Sequence, residues 1–347
     1  MYYSSGNYEA FAHPAKPEGI EDKSAYIVGT GLAGLTAACY LIRDAQMDGS
    51  RVHIFERDAV PGGACDGWEY PQIGFTMRGG REMDNHFEGM WDLFRSIPSI
   101  EDESMSILDY YYRLNKQDPN YSLCRATVNR GEDAGLDNTF GLSDKACREI
   151  MNLFFTPEEQ LDDKAITDYF SDDVLDSNFW LYWRTMFGFE NWHSALEMKR
   201  YIQRFVHHVG GLPDFSALRF TRYNQFESLI LPTVNYLKGH GVQFHLNTEV
   251  VDVTFSSTEE RKVATEVQTI CEGAPKAFHL SENDLLFITN GSCVANSSFG
   301  SQDEPAQFNT VLEPGTGFDL WRRIARQDPS FGRPEKFIGD PEKSNWM

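Results

Sequence analysis

The segment Gly29-Thr30-Gly31-Leu32-Ala33-Gly34 decides the fold of this chain, because it joins an apolar run to a helix-like sequence. Ala25-Tyr26-Ile27-Val28 precedes it and is typical of a buried strand, and Leu32 to Arg43 is predicted to be a helix. Glycines at this spacing allow a tight turn, a close approach of the backbone to phosphate groups, and close packing of helix on strand. The segment therefore predicts a site for a dinucleotide.

A second strand strengthens this prediction. Arg51-Val52-His53-Ile54-Phe55 is typical of a strand and is followed by Glu56. An acid at about 20 residues after the glycines is placed to accept hydrogen bonds from a ribose hydroxyl. Strand, glycine turn, helix, strand and acid in this order predict an α/β protein with a Rossmann-like domain.

The bulk composition limits the classes of partner. The chain has 347 residues, 14% of them aromatic and 41% hydrophobic, which favours a globular protein with a substantial core. A formal net charge of -21 disfavours nucleic acid as a partner. The sequence has neither a secretory leader nor an apolar run of roughly 18 to 20 residues, and its cysteines form no CxxC pair. We therefore expect a cytoplasmic protein with no metal site.

Two further segments favour FAD over NAD. Pro61-Gly62-Gly63-Ala64 follows the second strand, and flavoproteins that bind two dinucleotides commonly carry such a glycine pair near the pyrophosphate. Farther along, the run from Leu237 to Phe244 and then Thr248-Glu249-Val250-Val251 resembles the segment whose backbone flanks adenine in those proteins. The glycine turn alone does not distinguish the two cofactors.

The order of elements predicts that the dinucleotide domain is split in sequence. Helical and aromatic patterns dominate the middle of the chain, where Ser194-Ala195-Leu196-Glu197 is a capping box that opens a helix. Its apolar stripe is predicted to comprise Met198, Tyr201, Ile202, Phe205 and Val209. The predicted division is an N-terminal arm at 1–22, an FAD-binding domain at 23–139 and 220–300, a largely helical substrate domain at 140–219, and the start of a further region at 301–347.

The loop Met77-Arg78-Gly79-Gly80-Arg81-Glu82-Met83 is the most specific motif of the chain. Together with other segments it closely resembles the oleate hydratases, FAD-containing fatty acid double-bond hydratases that are also named myosin-cross-reactive antigens. The other segments are Tyr2-Tyr3-Ser4, Asn7-Tyr8-Glu9-Ala10-Phe11, Asn191-Trp192-His193-Ser194-Ala195 and Ile288-Thr289-Asn290-Gly291-Ser292.

The resemblance implies addition of water to the cis double bond of an unsaturated fatty acid such as oleate or linoleate. It implies that Glu82 orients or activates the water and that Tyr201 protonates the alkene. It also implies that FAD organises the site without being consumed, with Glu82, Asn290 and Ser292 close to it, and that the protein is a homodimer.

Other interpretations stay open on the residues alone. Tyr201 lies on an apolar stripe and is then a core tyrosine, while Glu82 is a surface acid paired with Arg78 or Arg81. His207-His208 is interpreted as a helix end, because no third ligand stands at a metal-like spacing in sequence. A redox flavoenzyme of the amine oxidase or desaturase type, and a non-catalytic flavoprotein, are the alternative functions.

The sequence departs from the family in length, because oleate hydratases are considerably longer. We expect the chain to be a fragment that lacks the portion binding the fatty acid carboxylate and the last flavin-binding segment. Peripheral membrane contact is expected through the missing C-terminal part.

Overall fold

The computed structural model describes residues 12–72, 74–77, 82–258, 260–291, 298, 300–310 and 317–340. Its strands are β1 Ala25–Val28, β2 Val52–Phe55, β3 Gly67–Tyr70, β4 Gly74–Met77, β5 Thr127–Val128, β6 Glu132–Asp133, β7 Gln243–His245, β8 Thr248–Ser257, β9 Lys262–Cys271, β10 Ala274–His279 and β11 Leu285–Ile288. Its α-helices are α1 Leu32–Arg43, α2 Glu88–Phe94, α3 Ile107–Gln117, α4 Asp144–Phe155, α5 Ile166–Tyr169, α6 Asp172–Leu175, α7 Asn178–Phe187, α8 Ala195–Phe205, α9 Leu231–Gly239, α10 Gly317–Gln327 and α11 Glu335–Ile338.

Four parallel strands form one sheet. Its strand order is β11-β1-β2-β7, with Ala25 opposite both Leu285 and Val52. This is the strand order of a Rossmann fold, since the first two strands in sequence are central and the third and fourth flank them. In each of β1 and β2, three of the four residues are buried, as expected for the central strands of a parallel sheet. The predicted Rossmann-like α/β class is confirmed.

The sheet is also assembled from separated parts of the sequence. β1 and β2 come from residues 25–55, whereas β7 and β11 follow the helical segments of the chain. An antiparallel sheet in the order β10-β9-β8 lies between β7 and β11 in sequence. Its Val253 and Val267 share an apolar cluster with Phe55 of β2 and with Leu320 and Ile324 of α10.

The described residues fall into two compact units. One is made of Glu82–Phe87 and Tyr112–Phe220; the other contains the parallel sheet and includes Glu88–Tyr111. We call the first the helical unit. Its core is a cluster of buried aromatic and aliphatic side chains that includes Trp180, Trp183, Met198 and Ile202. The domain boundaries given above stay a prediction.

Two local features differ from the helix patterns in the sequence. The α-helix predicted to carry the stripe from Met198 to Val209 is shorter than expected, because α8 stops at Phe205 and a 3-10 helix runs from Val206 to Gly211. A π-helical turn, Phe226–Ile230, precedes α9. Pro232 lies in the first turn of α9 and cannot donate a backbone hydrogen bond, which accounts for a wider turn before it. Among the described residues, no helix is long and apolar enough to cross a membrane.

Candidate functional site

The turn between β1 and α1 depends on two glycines. Gly29 has a φ of +101°, which glycine adopts readily, and its N–H donates to the Phe55 carbonyl oxygen at 2.9 Å. A Cβ on Gly34 would overlap the carbonyl oxygen of Gly29, so only glycine lets α1 pack this closely. Both glycines are therefore required by the turn itself.

A second glycine loop meets this turn at the N-terminus of α1. Gly62 and Gly63 have φ values of +128° and +55°, and the Gly62 N–H donates to the Thr30 hydroxyl oxygen at 3.2 Å. A Cβ on Gly31, by contrast, would have no described atom within 4 Å outside its chain neighbours. Side chains are thus absent where the helix N-terminus exposes its N–H groups, which is the arrangement that binds a pyrophosphate. Ala33 is exposed in the first turn of α1, and Ala64 follows the glycine pair.

Glu56 joins the end of β2 to the glycine turn. Its Oε2 atom accepts hydrogen bonds from the backbone N–H of Thr30, at 3.1 Å, and from the Thr30 hydroxyl. Its Oε1 atom accepts from the N–H of Asp58 at 3.1 Å. A carboxylate can accept about four hydrogen bonds, so the half-buried Glu56 keeps capacity for a ribose hydroxyl.

Val250 and Val251 lie at a β-bulge. The register of β8 against β9 shifts between Val250 and Asp252, so Val251 is the extra residue. The Val251 carbonyl accepts from Nη1 of Arg323 at 2.9 Å. A bulge takes backbone groups out of the regular ladder, as backbone recognition of a base edge requires.

Asn290 carries an unsatisfied polar atom at the end of β11. Its Oδ1 atom is buried and has no hydrogen-bond partner among the described residues, while its carbonyl accepts from Trp321 Nε1 at 3.0 Å. A buried acceptor without a donor destabilises a fold by about 1–3 kcal/mol, so this oxygen fits a donor supplied by a ligand. Ser292 lies outside the described residues.

Tyr201 is half-buried on α8, within an aromatic environment. Ser194 caps this helix, as predicted, by accepting from the Glu197 N–H at 3.3 Å. The ring of Tyr201 contacts those of Phe187 and Phe189 edge-on, with centroids 5.7 and 5.1 Å away. Met198 and Ile202 of the predicted stripe are buried, which orients α8 so that Tyr201 borders the core.

Glu82 is exposed and begins the short segment 82–87 of the same helical unit. The loop residues Arg78 to Arg81 that precede it lie outside the described residues. Two residues after Glu82, the Asp84 side chain is only 4% exposed. Asp84 was not recognised from the sequence, because an acid in a loop gives no signal of the partners that fold against it.

Three side chains from the end of α8 and the turn after it surround the Asp84 carboxylate. Arg204 Nη1 lies 3.3 Å and His207 Nε2 3.6 Å from Oδ2, and His208 Nε2 lies 3.1 Å from Oδ1. Burial alone would raise the pKa of Asp84, but the N–H of His86 and the neighbouring His208 and Arg204 hold it below its ordinary value. Burial lowers the pKa of His207, with a further contribution from His208.

No third ligand for His207 and His208 stands at a metal-like spacing in the sequence, but the fold brings the Asp84 carboxylate close to both. Asp84 places a carboxylate oxygen within 4.8 Å of both ring nitrogens, a grouping that could hold a metal ion. Arg204, however, pairs with the same carboxylate, and a cation there disfavours a divalent ion.

The parallel sheet, its glycine turn and Glu56 define an α/β protein with a Rossmann-like fold and an aromatic helical unit inserted in its sequence. Residues 22–347 match the MCRA family, and the chain belongs to that family.

Two curated relatives agree with this assignment. The chain is 49% identical over 347 residues to an oleate hydratase of Streptococcus pyogenes serotype M49, covering all of this chain and 58% of the relative. It is 29% identical to a linoleate hydratase of Lactiplantibacillus plantarum, covering 93% of this chain and 60% of the relative. The chain thus spans well under two thirds of the length of either relative.

Among solved structures, the chain is similar to an oxidoreductase from Methanosarcina mazei. It is 14% identical, with a TM-score of 0.47, and the match covers 78% of this chain and 60% of that one.

Proposed function

We propose that the protein acts as a fatty acid hydratase that adds water to the cis double bond of oleate, linoleate or a similar acid, giving a hydroxy fatty acid. The observation that carries the proposal is the placement of Tyr201 and Glu82 in one helical unit, the tyrosine against aromatic rings and the glutamate exposed. The 49% identity to an oleate hydratase supports it.

The chemistry requires an acid in an apolar setting, because an isolated alkene is a weak base. In the proposed reaction the Tyr201 hydroxyl donates its proton to one carbon of the double bond. A water held by Glu82 forms the C–O bond at the other carbon and gives up a proton to the carboxylate. Proton transfer from Glu82 back to Tyr201 restores both residues. A positioned acid and base typically contribute about 10²–10⁴-fold each.

FAD is the proposed cofactor. Gly29 and Gly34 would shape the turn at which Gly31 and Ala33 face its pyrophosphate. Glu56 would bind its ribose, and Gly62, Gly63 and Ala64 would face the adjoining chain. Val250 and Val251 would flank adenine, and Asn290 with Ser292 would approach from β11. When bound, the flavin would organise the site, because hydration involves no net oxidation or reduction. Glu82 would complete the site next to it.

Other parts of the proposal concern the surroundings of the protein. We expect a cytoplasmic homodimer. In longer family members we expect peripheral membrane contact through the C-terminal part and binding of the substrate carboxylate by residues beyond those present here.

Incubation with oleate and FAD tests the function. The expected product is heavier than oleate by the mass of one water molecule, and the flavin absorption is unchanged during turnover. Bleaching of the flavin by substrate, followed by reoxidation in air, would instead indicate a redox enzyme. Absence of the hydrated product from a flavin-loaded protein would contradict the proposal, and unchanged biological activity of Glu82→Ala and Tyr201→Phe variants would indicate a non-catalytic flavoprotein.

A further inference from the structure

We propose that Asp84 is a positioning residue that clamps the segment carrying Glu82 to the end of the helix carrying Tyr201. The inference rests on the proposed function for its kinetic consequence, but the clamp itself is a statement about contacts within the helical unit. It assigns a role to Asp84, Arg204 and His208, none of which is expected to touch the substrate.

Contacts described for segment 82–87 join it to Arg219 and to the end of α8. The Met83 N–H donates to the carbonyl of Arg219 at 2.7 Å. The His86 N–H donates to Asp84 Oδ1 at 2.8 Å, and the His86 carbonyl accepts from Arg204 Nη2 at 2.8 Å. Arg204 therefore contacts both the Asp84 side chain and the His86 backbone of the segment. Asp84 is two residues away from Glu82.

The helix end of the clamp is in register with Tyr201. Tyr201 and Arg204 are three residues apart on α8, so they lie on neighbouring positions of one helix face, about 4.5 Å apart along the axis. His208 continues that direction into the following 3-10 helix. The face of α8 that carries Tyr201 is thus the face whose Arg204 contacts Asp84. A shift of the segment would change where Glu82 stands relative to the tyrosine hydroxyl.

The charge of the Asp84 carboxylate makes the clamp depend on the positions of the groups around it. Asp84 is buried, and a buried carboxylate is stable only while its hydrogen-bond donors and cations remain in place. Arg204 is further fixed by stacking over Phe87 and Phe205, at 5.6 and 5.1 Å from their ring centroids. The guanidinium therefore contacts Asp84, Phe87 and Phe205. Its presence also favours an ion-pair network over a metal centre at Asp84.

Asp84→Asn is the variant that tests the clamp, because it keeps the shape of the side chain and removes its charge. Glu158→Gln is the matched control: Glu158 pairs with Arg200 of the same helix at 2.6 Å, but belongs to a different segment. Both variants are compared with the parent chain, loaded with FAD, by hydrogen exchange of the peptide spanning 82–87 and by kcat and KM for oleate hydration.

We expect Asp84→Asn to speed amide exchange in 82–87 and to lower kcat by about 10- to 100-fold with KM nearly unchanged, since small misplacements of reacting groups have effects of this size. Glu158→Gln should change neither. If Asp84→Asn does not fold, Arg204→Lys, which keeps a cation near Asp84 but loses the planar fork, should give the same pattern.

Four results would overturn the inference. The first two concern Asp84→Asn: unchanged amide exchange in 82–87, or faster exchange with unchanged kcat. The third is an equal effect of the control variant Glu158→Gln. The fourth is a loss of activity of the parent chain with a chelator, restored by zinc. If the parent chain forms no hydroxy acid, the proposed function fails, and the exchange data alone then decide whether Asp84 holds the segment.

Discussion

Gly63 lies against Gly31: a Cβ built on Gly63 would stand 3.1 Å from the Gly31 Cα. The turn after β1 and the loop after β2 therefore approach each other at the N-terminus of α1, and neither places a side chain between them. We interpret the bare surface as the place of the pyrophosphate.

Alanine substitutions separate binding from folding at this surface. Gly31→Ala should destabilise the apoprotein by no more than about 1 kcal/mol, because alanine adopts the φ of -65° and its Cβ would meet open space, although alanine is a poorer N-cap than glycine. The methyl group would occupy the pyrophosphate position, so FAD affinity should fall by at least about tenfold, or 1.4 kcal/mol. Flavin fluorescence titration and thermal unfolding of the apoprotein measure the two effects.

Gly34→Ala is the control for that experiment. Its methyl group would overlap the Gly29 carbonyl, so the melting temperature of the apoprotein should drop markedly. Equal FAD affinity of Gly31→Ala and the parent chain would contradict the proposed position of the pyrophosphate at Gly31.

The hydroxyl of Tyr201 is expected to be essential for hydration. Tyr201→Phe retains the ring that packs on Phe187 and Phe189, but removes the proton donor. The rate of hydration should fall by about 10²–10⁴-fold while the melting temperature changes little. Steady-state kinetics with oleate, alongside thermal unfolding, measure both quantities.

Tyr182→Phe provides the comparison within the same core. The Tyr182 hydroxyl is buried and has no hydrogen-bond partner among the described residues. Removing it should leave the rate unchanged and stabilise the protein by about 1 kcal/mol, since an unsatisfied buried group is deleted. Similar losses of rate in both variants would argue that Tyr201 acts through packing.

Glu82→Gln should lower kcat and leave oleate binding intact. The amide keeps the size of the side chain but cannot take a proton from water, so a loss of about 10²–10⁴-fold in kcat is expected. Glu197→Gln, an exposed acid on α8, should behave like the parent. A Glu82→Gln variant with parental kcat would remove Glu82 from the proposed mechanism.

The stability of the sheet is expected to depend on pH through His245. Burial, with smaller effects of His53 and Lys276, lowers the pKa of His245 from 6.5 to about 4. The folded protein thus binds this proton less readily than the unfolded chain does. Stability should be complete above pH 6.5 and should fall as the pH decreases towards about 4, by on the order of 1 kcal/mol after allowance for partial exposure.

Replacement of His245 isolates this effect. Phenylalanine keeps a ring that can stack on Phe55, whose centroid lies 4.9 Å from that of His245, but it removes the 3.1 Å contact between His245 Nε2 and His53 Nδ1. Urea unfolding at several pH values should show that the free energy of unfolding depends less steeply on pH for His245→Phe than for the parent chain. The same dependence on pH in both proteins would mean that His245 does not contribute to the loss of stability at low pH.

The fold was predictable where its signals are local. The glycine turn, β1, α1 and β2 depend on residues within one stretch, so turn chemistry and apolar patterning were sufficient. The cap at Ser194 and the buried stripe of α8 were predictable for the same reason. These features place Tyr201 at the border of the helical core.

The Asp84 cluster was not predictable, because it is formed by tertiary structure. Asp84 and His208 stand at opposite ends of the helical unit in sequence, and only the packing of segment 82–87 on the end of α8 brings them together. The bulge at Val251 is similar, since a register shift depends on the facing strand as well as on β8. Sequence spacing thus indicated candidate residues for a cofactor site, but gave no signal of the contacts around Asp84.

Turnover in isotopically labelled water tests the central claim most directly. The flavin-loaded protein is incubated with oleate in water labelled with heavy oxygen and, separately, in deuterium oxide, and the product is analysed by mass spectrometry. Hydration predicts that the new hydroxyl oxygen comes from water and that one deuterium is fixed on the adjoining carbon of the former double bond. A hydroxyl oxygen derived from molecular oxygen, or a product lacking the carbon-bound deuterium, would contradict hydration as the reaction of this protein.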